Sequence, residues 1–293
     1  IGTIFAAIPG LTATLAMALL LPLTYSLNVE TALMACASIY MAGMCGGSIT
    51  ATTINIPGAP SSMMTALDGY PMQQQGKGAL ALGHAALGSM FGGAVGALLL
   101  IAVAPFVAEL SLLVKTTGKF SLLAFALIVV VIAQRGRIPQ AGLAACIGLM
   151  LATVGLDAME PVTRFTYGNA NLTAGIALMP VIIGTFAIAE VLTQAYSHTD
   201  ISAAAAAADK VKIRRRDFIP PLSDIRKIGF GCYFKSCLIG YFVGTLPGAG
   251  GSMGSFLAYT ETVRTSSEPE TFGKGNPQGI AASESANNAV CGG

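Results

Sequence analysis

The chain has 293 residues, of which 54% are hydrophobic and only 10% charged, and its net charge is +2. Soluble domains carry about 25% charged residues, so with a mean hydropathy of +0.69 this chain is built for lipid more than for water. The basic residues form no surface interleaved with aromatics, which excludes nucleic acid as a partner, and the six cysteines lack the paired spacing of a structural zinc site.

Ile1 to Ile8 is apolar, is interrupted at Pro9-Gly10 and resumes from Leu11 to Leu27, which predicts a discontinuous span. No initiator Met or leader precedes Ile1, so the chain is expected to begin partway through its first hydrophobic segment. Thr31 to Met44 reads as a second span that stops at Gly46-Gly47. Ser48 to Ser62 follows, rich in hydroxyls and interrupted by Asn55, Pro57 and Gly58. Such a stretch is costly against lipid and acceptable around a polar cavity, so it is expected to be re-entrant. Ala79 to Ala104, Phe120 to Ala133, Ala141 to Val154 and Leu172 to Leu192 give four more predicted helices, the outer two near the roughly 20 residues a helix needs to cross hydrocarbon.

The character changes after Tyr196. Seven of the sixteen basic residues lie between His198 and Lys227: Lys210, Lys212, Arg214, Arg215, Arg216, Arg226 and Lys227. By the positive-inside rule this is a cytoplasmic loop; counting helices backwards puts Arg135 and Arg137 inside and Lys115, Lys119 and Arg164 outside. The expected division is a first transmembrane repeat over 1–196, a basic cytoplasmic linker over 197–227 and the start of a second repeat over 228–293. In that last part Ile228 to Thr245 is apolar and is broken at Leu246-Pro247-Gly248-Ala249-Gly250-Gly251. The sequence stops soon after Glu284-Ser285-Ala286-Asn287-Asn288, where more chain is expected.

The two halves share a pattern. Ile8-Pro9-Gly10 and Leu246-Pro247-Gly248 both interrupt apolar runs, and one offset of 238 (284 − 46) also lays Gly46 to Thr50 on Glu284 to Asn288. Paired broken segments in corresponding halves point to a transporter binding site. An odd number of spans between them would invert one repeat, and whether 48–62 crosses or returns decides the parity. At a broken helix, unpaired N–H groups and the positive dipole end suit a carboxylate, while freed carbonyls and Ser, Thr or Asn oxygens suit a desolvated cation. The plainer reading is that Gly and Pro allow kinks and close packing. The candidate substrate- and ion-binding residues are Pro9, Gly10, Gly46, Gly47, Ser48, Thr50, Asn55, Pro57, Gly58, Pro247, Gly248, Ala249, Gly250, Glu284, Ser285, Asn287 and Asn288. Ser48, Thr50, Ser285, Asn287 and Asn288 are the candidate sodium ligands. Proton coupling would turn on Glu284, the only carboxylate in the motif cores, whereas neutral oxygens are plentiful and favour sodium; no other cofactor is expected.

Gly46-Gly47-Ser48-Ile49-Thr50 with Asn55-Ile56-Pro57-Gly58, Asp68-Gly69-Tyr70-Pro71-Met72, Arg164-Phe165-Thr166-Tyr167-Gly168, Leu246-Pro247-Gly248-Ala249-Gly250 and Glu284-Ser285-Ala286-Asn287-Asn288-Ala289 occur in that order along nearly the whole chain. This ordered set resembles the large membrane subunit of the tripartite tricarboxylate transporter family. The first break departs from the family pattern, reading Pro9-Gly10-Leu11-Thr12 where a further Gly is usual. The resemblance implies an all-α polytopic membrane protein with broken and re-entrant helices, inverted repeats and an elevator-like carrier mechanism. It implies import of a di- or tricarboxylate such as citrate, driven by an ion gradient, across the bacterial inner membrane. It also implies a periplasmic substrate-binding protein and a small membrane subunit as partners, and a homodimer is a further expected assembly.

Two other function classes compete, a channel and an intramembrane serine hydrolase. Gly250-Gly251-Ser252-Met253-Gly254 fits the G-x-S-x-G nucleophile pattern, but no strand-to-helix turn surrounds it and the two histidines, His84 and His198, have no evident route to Ser252. His84 reads as a helix-packing or cavity histidine. Gly88, Gly92 and Gly96 form overlapping GxxxG patterns that suit close helix packing or a sliding surface. Asp68, Asp157, Glu160 and Arg164 flank spans and are expected to be solvated or paired at the membrane surface, and Lys235, inside an apolar run, is expected to snorkel.

Overall fold

The computed structural model describes residues 1–8, 11, 13–113, 115–133, 137–157, 160, 162–177, 180–181, 183–188, 192, 214–246 and 250–293. Among these the chain is helical apart from one two-stranded hairpin. The helices are α1 (Gly2–Ala6), α2 (Ala13–Thr24), α3 (Val29–Ile54), α4 (Met63–Gln74), α5 (Gly78–Leu113), α6 (Thr116–Ala133) and α7 (Ile138–Ala152). After the hairpin of β1 (Gly155–Leu156) and β2 (Thr163–Arg164) come α8 (Leu222–Ile228), α9 (Phe230–Gly244), α10 (Gly250–Thr265) and α11 (Pro277–Ala289). Two of them, Val29–Ile54 and the Gly78–Glu109 part of α5, are long and apolar enough to cross a membrane.

Several expectations change. α3 does not stop at Gly46-Gly47; it opens on Asn28, whose side chain accepts from Thr31 N, and runs to Ile54, where Asn55 turns left-handed at φ 57°. Two glycines inside a helix cost about 1 kcal/mol each, and here they are repaid by close neighbours: a Cβ at Gly46 would lie 2.9 Å from Thr3 Cα, and one at Gly47 2.7 Å from Ser62 Oγ. The expected re-entrant stretch 48–62 is therefore the last turns of α3, a short loop and a 3₁₀ turn at Pro60–Ser62 leading into α4. The predicted helix Leu172–Leu192 also starts too early: Leu172 closes a 3₁₀ turn, 173–177 is turn and coil, and Ile183–Ile188 is π-helical. Asp68 is not at the surface but wholly buried on α4. Lys235 finds a carboxylate: its Nζ lies 3.5 Å from Glu261 Oε1 and donates to Thr265 Oγ1 at 2.8 Å. Asp157 and Arg164 are paired, as expected, at 2.6 Å.

The centre of the molecule is α11. Its sequence, PQGIAASESANNA, has one large apolar residue, yet every residue from Gly279 to Ala289 is buried. Small side chains let neighbours reach its backbone. On one side stand Gly88, Gly92 and Gly96 of α5, where a Cβ at Gly88 would lie 3.0 Å from Ala281 O and one at Gly96 2.9 Å from Ala289 O. On the other stand Gly240 and Gly244 of α9, with Cβ positions 2.7 Å from Ala286 Cα and 2.6 Å from Val290 O. The GxxxG face of α5 is thus a packing face. The outer half of α5 instead exposes Leu98, Ile101 and Phe106, and α6 and α7 expose Phe120, Leu123, Leu143 and Met150, an apolar surface of the kind a bilayer covers.

This packing leaves Gly92 no room to grow. Gly92→Leu should drive a side chain into the Ser285 backbone and destabilise the purified full-length protein by at least about 1–3 kcal/mol in thermal denaturation, whereas Gly148→Ala, with nothing within 4 Å, should not.

Candidate binding site

The site is assembled around three turns of α11. Glu284 is fully buried, and both of its oxygens accept from hydroxyls: Thr65 Oγ1 of α4 donates to Oε1, and Ser89 Oγ of α5 donates to Oε2 at 2.9 Å. Thr65 Oγ1 also lies 3.1 Å from Ser283 Oγ, whose carbonyl accepts from Ser255 Oγ of α10 at 3.2 Å. Among the described residues no Lys, Arg or His forms an ion pair with Glu284; the salt bridges lie at His84–Asp224, Arg164–Asp157, Lys227–Glu268 and around Glu261. A buried carboxylate held by neutral donors alone is costly and is a mark of function inside a membrane.

One turn further along, Asn287 joins the two polar stretches. Its Nδ2 donates to Met44 O of α3 at 3.2 Å, and its Oδ1 points toward the start of α10, where a Cβ on Gly251 would lie 2.6 Å from it and 3.0 Å from Ser61 Cβ. α10 has sixteen residues and no acidic side chain in its first turn, so its positive end is turned toward this space with no acid of that turn beside it. Beside it, Gly58 N donates to Gly47 O at 3.2 Å, and Gly58 abuts Thr50 Oγ1 and Ala6 O.

Nine buried side-chain atoms among the described residues have no hydrogen-bond partner, and three of them lie here: Thr50 Oγ1, Ser62 Oγ and Asn287 Oδ1; Ser285 Oγ is another, on a residue whose backbone packs against Gly92 of α5. An unpaired buried polar atom costs about 1–3 kcal/mol, so a cluster of them marks a place where a cation or water completes the set. Ser48 and Asn288 are buried but locally satisfied, Ser48 Oγ donating to Cys45 O at 2.7 Å and Asn288 Nδ2 to Glu284 O at 3.3 Å.

The structure thus brings together Gly46, Gly47, Thr50, Gly58, Glu284 and Asn287 with their neighbours. Asn55 is exposed, Pro57 is half-buried in the same loop, and Gly250 opens α10 at φ 57° with nothing close to it. Pro9, Gly10, Pro247, Gly248 and Ala249 lie outside the described residues. Sequence reasoning missed Thr65, Ser89, Ser61 and Ser62. Ser89 carried a signal, being a hydroxyl between two glycines of the GxxxG face; Thr65 did so only once α4 was known to be a helix, since Thr65, Asp68 and Met72 then share one face.

The sequence model of the Tripartite tricarboxylate transporter TctA family matches residues 1–293. The chain belongs to that family. It is a family of membrane transporters and not of enzymes, so the serine-hydrolase reading falls; Ser252 is exposed on α10, and His84 sits 3.7 Å from Asp224. A relative from Agrobacterium vitis, described as "Uncharacterized 52.8 kDa protein in TAR-I ttuC' 3'region", is 36% identical over 290 residues, covering 99% of this chain. The chain spans 56% of that relative's length. No solved structure matches.

If the hydroxyls are what make Glu284 tolerable, Thr65→Val and Ser89→Ala should each destabilise the protein by about 1.5–3 kcal/mol, the worth of a hydrogen bond to a charged group. Thr153→Val, which removes an exposed hydroxyl bonded only to Met150 O, should change thermal stability little.

Proposed function

We propose that this chain is the large transmembrane subunit of an ion-coupled carrier that imports a citrate-like di- or tricarboxylate across the bacterial inner membrane. A periplasmic binding protein delivers the substrate and a small membrane subunit assists. The observation that carries this reading is the meeting of Asn287, Met44, Ser61 and Gly251 at the start of α10, beside the unpartnered buried oxygens Thr50 Oγ1, Ser62 Oγ and Asn287 Oδ1. An anion cannot enter such a low-dielectric space without compensation, and no basic side chain lies in the cluster. Helix-end amides and a bound cation are the available partners. Sodium fits neutral hydroxyl and amide oxygens, so it is preferred to a proton, and it binds before the anion.

The repeat supports a carrier. The offset of 238 takes α2 onto 251–262, within α10, and takes 39–51 of α3 onto the whole of α11, and both of those segments are the buried parts that face the site. The Pro-Gly breaks at 9–10 and 247–248 fall in corresponding gaps between α1 and α2 and between α9 and α10. Inverted repeats moving in an elevator-like cycle are the reading we adopt for these paired hairpins.

Equilibrium binding of labelled citrate to the full-length protein at several sodium concentrations tests the site. Ala at Ser48, Thr50, Ser285, Asn287 or Asn288 should weaken citrate and sodium together, by about tenfold where a direct ligand is lost, because coupling between the two is reciprocal. Changes around Lys212 should have no such effect. Sodium-independent affinity in the wild type, or five variants with unchanged affinity, would overturn the assignment. Counterflow of labelled citrate separates a carrier from a channel. Vesicles without the binding protein should take up very little citrate even with a sodium gradient; full uptake would reject obligatory delivery.

A further inference from the structure

A second buried carboxylate lies outside the proposed site, and its partners show what it does. Asp68, fully buried on α4, accepts from Gly275 N at 3.0 Å and Asn276 N at 2.8 Å through Oδ1, and from Tyr259 OH at 2.9 Å through Oδ2. It forms no ion pair among the described residues. All three donors come from beyond the basic linker. Tyr259 is on α10, and Gly275 and Asn276 form the turn that feeds α11, Asn276 being its N-cap.

We infer that Asp68 is a positioning residue that holds the foot of α11 and the shaft of α10 against α4, and so sets where Glu284 and Asn287 stand. Thr65 and Asp68 are three residues apart on one face of α4, and they grip α11 at two points: Thr65 at Glu284 and Ser283, Asp68 at the entry turn. Beside these contacts Met72 of α4 and Ile280 of α11 are packed in one buried cluster with Ala81 and Ala85. A helix held at two points along its length keeps its register and rotation, and a shift of one residue would turn Asn287 about 100° away from Met44 O.

The chemistry at position 68 is demanding. Both oxygens must accept, which an ionised carboxylate does and an amide does only at one. Gly275, at φ 103°, lets the turn present two successive N–H groups to one oxygen, and Gly279 faces Asp68 Oδ2 so closely that a Cβ there would collide with it. A longer acid would meet the same obstruction. The carboxylate also sits at the positive end of α11, which adds to its hold.

The inference rests on the carrier reading for its functional readout but not for its structural one. In vesicles holding the full-length protein with its partner subunits, Asp68→Ala should raise the half-saturating citrate concentration tenfold or more, with maximal uptake per folded molecule within about threefold of wild type. Asp68→Asn, keeping one acceptor, should raise it less, and Tyr259→Phe less again. A purely structural role would lower the amount of folded protein and leave half-saturation unchanged. The second readout needs no transport: in a cysteine-free full-length background, the pair Thr65→Cys and Ser283→Cys replaces hydroxyls 3.1 Å apart and should cross-link under mild oxidation. Asp68→Ala should cut that yield at least threefold. An unchanged yield with half-saturation at the wild-type value overturns the inference, and where Asp68→Ala fails to fold, the same two results for Asp68→Asn and Tyr259→Phe overturn it. A reduced yield in a protein whose wild type accumulates no citrate would instead sustain the positioning role and sink the carboxylate assignment.

Discussion

The constraint on which the rest depends is the burial of α11, a helix whose buried residues are Ala, Ser, Asn and Gly with one Glu and one Ile, at the middle of an otherwise apolar bundle. Such a helix offers little hydrophobic area, so burial must be supported by close backbone approach and by partners for its polar atoms. The glycines of α5 and α9 meet the first need, and Thr65, Ser89 and Met44 O meet the second. Where a partner runs out at Asn287 Oδ1, the structure has reached the start of α10 and the 3₁₀ turn that holds Ser61.

Charge is handled by separation. The Lys and Arg side chains with ion-pair partners sit toward the periphery, Lys227 with Glu268 and both Lys235 and Arg264 with Glu261, and each of these three is at least a third exposed. The two fully buried carboxylates, Glu284 and Asp68, are held by hydroxyls and backbone N–H groups alone. Neutral donors hold a buried carboxyl group in place without a counter-charge, which leaves these carboxyl groups free of a fixed basic partner among the described residues.

Much of this was legible in the sequence because it is written in unusual residues. Runs of apolar residues gave α2, α6 and α7 to within about four residues and the starts of α3 and α5, which run on past their expected ends, and a polar stretch at 284–288 inside an apolar chain marked α11. Where the reading failed, it failed on features that neighbours decide. Gly46-Gly47 looked like a helix end because Gly is a poor helix former, but the helix continues since α1 and the 59–62 loop pack where side chains would be. Asp68 looked like a surface residue because it lies between predicted spans, and its burial depends on a turn more than two hundred residues later in the chain. Leu172 to Ile176 is apolar enough for a helix, yet the residues are taken into turns around Gly175, whose φ of 81° and contact with Val154 O tie them to the end of α7.

Under the proposed repeat, the two halves contribute unlike things to one site. Gly46 and Gly47 correspond to Glu284 and Ser285, and Ile49 and Thr50 to Asn287 and Asn288. The first half thus places bare backbone where the second places functional side chains. Bare backbone allows α1 and the 59–62 loop to press against α3, and it leaves Met44 O open to Asn287 from across the bundle. Two copies of Glu284 in such proximity would repel each other in a low-dielectric interior, by an amount that no pair of hydroxyls offsets. Under that reading Gly46 and Gly47 yield space at the positions where Glu284 and Ser285 stand in the other copy, and both copies supply oxygens, Thr50 Oγ1 from one and Asn287 Oδ1 from the other.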